Sequence, residues 1–204
     1  MLLTTDIDFT GKSVAPVGKN WGNGFLGVFD GQGHTISNLK TISSLEFVGL
    51  FGLSKGLTIK NVVVDDTCSF SSTASTPGNI GGIIGRVTSE KGVCSILNSV
   101  NMTNVTCMGN SNGNKWMGGI TGIFHSTRYT ITVANCVNYG TVASYGTTTR
   151  AVYIGGIIGE CYGNYTYNCA NYGTLIQNGT GTAIYVGGIT SASWKTAIRN
   201  CMSA

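Results

Sequence analysis

The sequence predicts an all-β chain folded as a parallel β-solenoid, with about five to six coils of 32–37 residues. Three observations predict it. The first is a text that recurs. Tyr153-Ile154-Gly155-Gly156-Ile157-Ile158-Gly159 is matched by Asn79-Ile80-Gly81-Gly82-Ile83-Ile84-Gly85, by Trp116-Met117-Gly118-Gly119-Ile120-Thr121-Gly122 and by Tyr185-Val186-Gly187-Gly188-Ile189-Thr190, with Phe47-Val48-Gly49-Leu50-Phe51-Gly52 as a shorter relative. One glycine of each copy stands at 49, 82, 119, 156 and 188, so the copies are spaced by 33, 37, 37 and 32. The second observation is an independent beat. Asn61, Asn98, Asn135, Asn168 and Asn200 each close a strand-like run, at spacings of 37, 37, 33 and 32. The third is composition: 31 glycines and 2 prolines suit short strands and many corners, and charge is sparse, with 12 basic and 8 acidic residues in 204.

In chain order, residues 1–40 form a lead-in coil. Thr5 to Phe9 alternates apolar and polar, as a half-buried strand does. Gly11-Lys12 is a turn, Ala15 to Gly18 a short extended piece, and Asn20 to Gly24 a loop. Phe25 to Asp30 is extended up to the turn Asp30-Gly31-Gln32-Gly33, and His34 to Leu39 alternates again. Residues 41–204 carry the repeats, so 1–204 reads as one solenoid domain. Each repeat opens on the Gly-Gly-Ile text, crosses a variable polar loop, and runs through a second strand to its asparagine. A third piece follows, as in Val137-Asn138-Tyr139-Gly140-Thr141-Val142 and Ala170-Asn171-Tyr172-Gly173-Thr174-Leu175. This reads as three short strands and three corners per coil. Helical repeats fit poorly, because Gly-Gly and Asn-Tyr-Gly would break them.

Stacked coils lie about 4.8 Å apart, so equivalent residues form columns along the axis. Ile83, Ile120, Ile157 and Ile189 are expected to stack inward as an aliphatic column. Asn61, Asn98, Asn135, Asn168 and Asn200 are expected to form an amide ladder at a corner, with Asn138 and Asn171 in a second, shorter one. Both ends are expected to leave open strand edges, since neither shows a charged or proline-rich cap.

The 7 cysteines include no Cys-x-x-Cys pair, which argues against zinc. Cys136, Cys169 and Cys201 share one repeat position. They are either small buried side chains or include one disulfide pair between neighbouring coils, since a one-coil step lies within the bridging range of about 4.4–6.8 Å between Cα atoms. Asn101, Asn104, Asn164 and Asn178 head Asn-x-Ser/Thr sequons and are candidate N-glycosylation sites. No apolar run is long enough for a membrane span. A net charge of +4 with no basic run is no nucleic-acid footprint.

The lead-in text (Thr4 to Phe9, Ala15 to Gly18, and Gly27 to Leu39) and the repeats of Gly-Gly-Ile-Ile-Gly followed by Asn-Cys-x-Asn-Tyr-Gly-Thr-Val resemble the GLUG-repeat family. The resemblance covers nearly the whole chain. It implies a right-handed β-helix in a secreted or surface-anchored protein, as in adhesin-like stalks and the repeat region beside IgA-cleaving metallopeptidases. It carries over no enzyme: His-Glu-x-x-His is absent, and the histidines are His34 and His125 alone. The chain lacks the strand that usually precedes the lead-in and stops where an Asn-Tyr-Gly corner would follow Asn200-Cys201, so a piece of a longer chain is expected.

The residues offer little for catalysis. Asp30 and His34 read as a turn residue and an outward strand residue. Asp65-Asp66 is the one adjacent acidic pair, but neighbours on a strand point to opposite faces. Glu46 and Glu160 stand alone. No cofactor or metal is implied. Tyr139 and Tyr172 share a repeat position and are candidates for a binding face, since aromatic rings beside Asn and Thr grip sugars and proteins. The expected function is a non-catalytic extracellular module that extends, displays or self-associates, end to end into a filament, with copies of itself as partners. The alternatives are an adhesin domain that binds host glycans or proteins through the Tyr/Asn/Thr-rich face, and a polysaccharide-degrading β-helix.

Overall fold

The computed structural model describes every residue except 77, 91 and 127. The chain is all-β: parallel strands stack into a solenoid of about six turns, with a single 3-10 turn among the described residues, at Trp21–Asn23. No helix among the described residues is long and apolar enough to cross a membrane.

One coil shows the plan. It runs through five strands: Gly78–Gly81, Ile84–Thr88, Cys94–Leu97, Val100–Asn101 and Asn104–Cys107. The sequence suggested three per coil. The difference lies in the corners, which divide what reads as one run. Val100–Asn101 is a two-residue strand pinned between two asparagine corners, too short to register as periodicity. Successive coils repeat these five walls in parallel register, so Asn79, Trp116, Tyr153 and Tyr185 stand in line on the first wall, and Ile59, Ile96, Val133 and Thr166 on the third. The second and third walls join into one ten-stranded sheet, because Phe51–Lys60 is a single long strand that spans both.

Alternate residues on each wall point inward and meet in one apolar core. Ile83, Ile120 and Ile157 are fully buried in it, while Ile189 in the last coil is only partly covered. Each full burial of such a side chain contributes roughly 1.5–3 kcal/mol.

Two asparagine ladders run along the axis. The outer one stands between the third and fourth walls. Asn61, Asn98, Asn135, Asn168 and Asn200 all adopt left-handed backbone, with φ of 49–55°. Asparagine tolerates this region better than most residues. Each amide donates to the preceding one: Asn98 to Asn61 (3.2 Å), Asn135 to Asn98 (2.9 Å), Asn168 to Asn135 (3.2 Å) and Asn200 to Asn168 (3.4 Å). This ladder is mostly exposed to solvent. It begins on Asp30, which accepts from Asn61 Nδ2 at 2.9 Å and pairs with Lys60 Nζ at 3.0 Å.

The inner ladder is buried. Asn101 Nδ2 donates to Asn138 Oδ1, and Asn138 Nδ2 to Asn171 Oδ1, both at 2.8 Å. Each of the three also bonds the carbonyl and the N–H two residues further on, which shapes the corner itself. Their carboxamides lie flat against the recurring glycine. A Cβ added to Gly82 would sit 2.3 Å from Asn101 Cγ, one on Gly119 would sit 2.2 Å from Asn138 Cγ, and one on Gly156 would sit 2.3 Å from Asn171 Cγ. The Gly-Gly-Ile text and the Asn-Tyr-Gly text are therefore two halves of one contact across the coil.

The lead-in covers part of the N-terminal end. Leu3 and Met1 exchange backbone hydrogen bonds with Asp30 at 3.0 Å, Val17 bonds Leu50 and Gly52, and Trp21 packs edge-on against Phe47 at 5.3 Å. Ile7–Asp8 and Lys40–Ser43 are still last in their sheets and pair on one side only, so the open strand edges expected from sequence remain on these two walls.

Candidate functional site

The C-terminal coil is the last of the stack described. Leu175–Gln177, Ala183–Gly187, Thr190–Trp194, Ala197–Arg199 and Met202–Ser203 are each last in their sheets and pair on one side only. Side chains that are buried in earlier coils become exposed here. Val186, aligned with the fully buried Ile154, is 50% exposed, and Ile184, aligned with the fully buried Val152, is 47% exposed. Both ladders also stop at this face, at Asn200 and at Ser203, which accepts from Asn171 at 3.3 Å.

A second feature runs along the corner between the first two walls. Here the walls fold together so closely that a Cβ on Gly85 would meet Asn79 O at 2.5 Å, and one on Gly122 would meet Trp116 O at 2.7 Å. On one side stand Asn79, Trp116, Tyr153 and Tyr185; on the other stand Arg86, Ile123, Glu160 and Ala192. Trp116 stacks on Tyr153 at 6.1 Å and Tyr153 on Tyr185 at 5.0 Å, with ring planes within 13° of parallel. Polar contacts cross the corner. The Trp116 indole donates to Glu160, and Arg86 Nη1 donates to Asn79 at 3.4 Å while lying over the Trp21 ring at 5.2 Å. Burial pushes the Glu46 carboxyl above its ordinary range, against the pull of Arg86. Burial also pushes the Tyr153 phenol up, helped by Glu160. Glu46 and Glu160, isolated in the sequence, thus both come within the field of Arg86.

Tyr139 and Tyr172 are exposed and lie ring on ring at 5.3 Å and 15°, with the Tyr172 hydroxyl reaching Met202 Sδ at 3.6 Å. In both aromatic columns the rings cover each other's faces. A sugar that stacks on an aromatic ring needs a free face, and the stacking of these rings on one another takes up faces a sugar would use.

The remaining sequence candidates fall as follows. His34 Nδ1 meets Asp6 Oδ1 at 3.1 Å, not Asp30. Asp65 is tied up by the backbone and hydroxyl of Thr67. Cys136, Cys169 and Cys201 stack one coil apart as free thiols with no disulfide among them. Each donates to the carbonyl two residues before it, at 3.3–3.4 Å, and burial pushes the Cys136 thiol well up. Asn101 and Asn164 are buried, so the folded chain closes both to a glycosylating enzyme: Asn101 is locked in the inner ladder and Asn164 donates to Thr166 at 3.1 Å. Asn104 and Asn178 are exposed. Among the described residues, no three His, Cys, Asp or Glu side chains gather as a metal site would require. The corner column escaped sequence reading, although its signal was present: Asn79, Trp116, Tyr153 and Tyr185 are the first letters of the four aligned copies.

No family model and no curated protein matches the sequence. Among solved structures, the chain is similar to one described as a putative immunoglobulin A1 protease from Bacteroides ovatus. The likeness has a TM-score of 0.55 at 20% identity and covers 99% of this chain and 67% of that one. At this identity the likeness speaks for the β-solenoid fold.

Proposed function

We propose that this chain is a non-catalytic solenoid module of a secreted or surface protein, one that extends, displays or self-associates, end to end into a filament. One observation carries the reading: the five walls repeat in parallel register through the stack and both asparagine ladders run along it, so each coil adds to the next by the same contacts. Support for the surface setting comes from the GLUG-like repeat text and from the protease-named protein that shares the fold. The adhesin reading through Tyr139 and Tyr172 keeps less support, since each ring is covered by the other.

Sedimentation velocity over a range of concentrations tests the proposal. An open-ended series of larger species is expected as concentration rises, and a monomer throughout removes self-association.

A further inference from the structure

Outside the C-terminal coil, a recess of about 350 Å³ lies at Arg86, lined by Trp21, Arg86, Thr88, Ser89, Glu90, His125, Ser126 and Arg128. This volume lies at the small end of ligand pockets, which run from about 300 to 1,000 Å³. We propose that the recess binds a carboxylate-bearing sugar residue at the end or within the chain of a glycan.

Three properties point to that chemistry. The first is positive charge. Among the described residues, neither Arg86 nor Arg128 makes an ion pair, while the recess's own acid, Glu90, is held by Lys55 at 3.5 Å. Arg86 also keeps a buried Nε with no hydrogen-bond partner. Glu46 and Glu160 act on Arg86 without pairing with it, and neither lines the recess. Guanidinium groups hold carboxylates through paired N–H donors. The second property is a ring. Trp21 stays 44% exposed even though Arg86 lies against it, and an indole bordering a cavity suits the C–H face of a pyranose. The third is a polar floor: Thr88, Ser89 and Ser126 line the recess, nearly buried, with their hydroxyls donated to Ser54 O, to each other and to Tyr129 O. Their remaining lone pairs accept from sugar hydroxyls. A phosphate would use the arginines and leave the indole idle, and an apolar ligand would leave both guanidinium groups unpaired.

This site is separate from end-to-end association, so each can fail without the other. The test is titration calorimetry or ligand-observed NMR on the whole chain. The probes are a glucuronate-containing disaccharide, a sialylated disaccharide, the methyl ester of each, and an acidic peptide of equal charge. Saturable binding of at least one acidic sugar is expected, with its ester weaker by about tenfold or more. Arg128→Ala should weaken binding by a similar factor with an unchanged melting temperature, because Arg128 is exposed. Tyr172→Ala should leave it unchanged. The proposal is overturned if neither acidic sugar saturates, if the esters bind equally well, if the acidic peptide binds as tightly, or if Arg128→Ala has no effect.

Discussion

Replacing Asn138 with alanine tests the buried ladder at its centre. The carboxamide is fully buried and makes four hydrogen bonds. It donates to Gly140 O at 2.9 Å and Asn171 Oδ1 at 2.8 Å, and accepts from Asn101 Nδ2 at 2.8 Å and Gly140 N at 3.2 Å. The change breaks all four and leaves the Gly140 N–H and carbonyl facing a dry space. Each hydrogen bond is worth about 1 kcal/mol net, and a buried orphaned group costs about 1–3 kcal/mol. Asn101 and Asn171 keep their own corner bonds, which limits the damage. The expected loss is therefore about 3–5 kcal/mol, a large share of a typical stability of about 5–15 kcal/mol. Asn138→Asp keeps the shape but turns the donor into an acceptor facing two oxygens, and should cost about as much at neutral pH. Urea unfolding followed by circular dichroism measures both. A loss below about 1 kcal/mol for Asn138→Ala would mean that water or backbone relaxation replaces the ladder, and the reasoning would be wrong.

The other predictions follow from neighbouring contacts. At the exposed outer ladder, Asn135→Ala should cost about 1–2 kcal/mol, mostly for its left-handed backbone (φ 54°), and Asn135→Gly less, since glycine adopts that backbone freely; equal losses in urea unfolding would place the cost in the side-chain ladder instead. Gly119→Ala should prevent folding or leave the chain in inclusion bodies, because its Cβ would fall 2.2 Å from Asn138 Cγ and 2.3 Å from Gly156 O; a soluble variant with wild-type circular dichroism would contradict the interlock. The Asp30 carboxyl is lowered from 3.8 to about 2, chiefly by the Asn61 hydrogen bond and against its own desolvation. Its stabilisation is thus present above the unfolded pKa of 3.8 and is lost as pH falls toward about 2, because the unfolded chain takes up the proton first. The urea midpoint of Asp30→Asn should fall less steeply across that window than that of the wild type.

The repeat beat was legible because stacking forces equivalent residues into columns: any side chain that serves one coil serves the next. The isoleucine column and the outer asparagines follow from spacing alone. The inner partnership of Asn138 with Gly119 does not. The two residues lie on different walls, and only the closure of the coil brings them together. The left-handed backbone of Asn135 and its relatives is a local preference of asparagine that periodicity does not encode. The lead-in was legible as strands but not as a cover, since Trp21 and Val17 act through irregular backbone. At the corner groove, Trp116, Tyr153 and Tyr185 were in plain alignment. Their opposition to Arg86 and Glu160 depends on how sharply the Gly-Gly turn folds one wall against the next, and that is a property of the three-dimensional corner.

The continuous stack is tested most directly by backbone hydrogen exchange of the intact chain. Amides of Lys115–Gly118 and Thr121–His125, which pair with a coil on each side, should be strongly protected, and more so than those of Ala183–Gly187 and Thr190–Trp194, which pair on one side. Fast exchange in the inner coils, or equal exchange across all of them, would contradict the account.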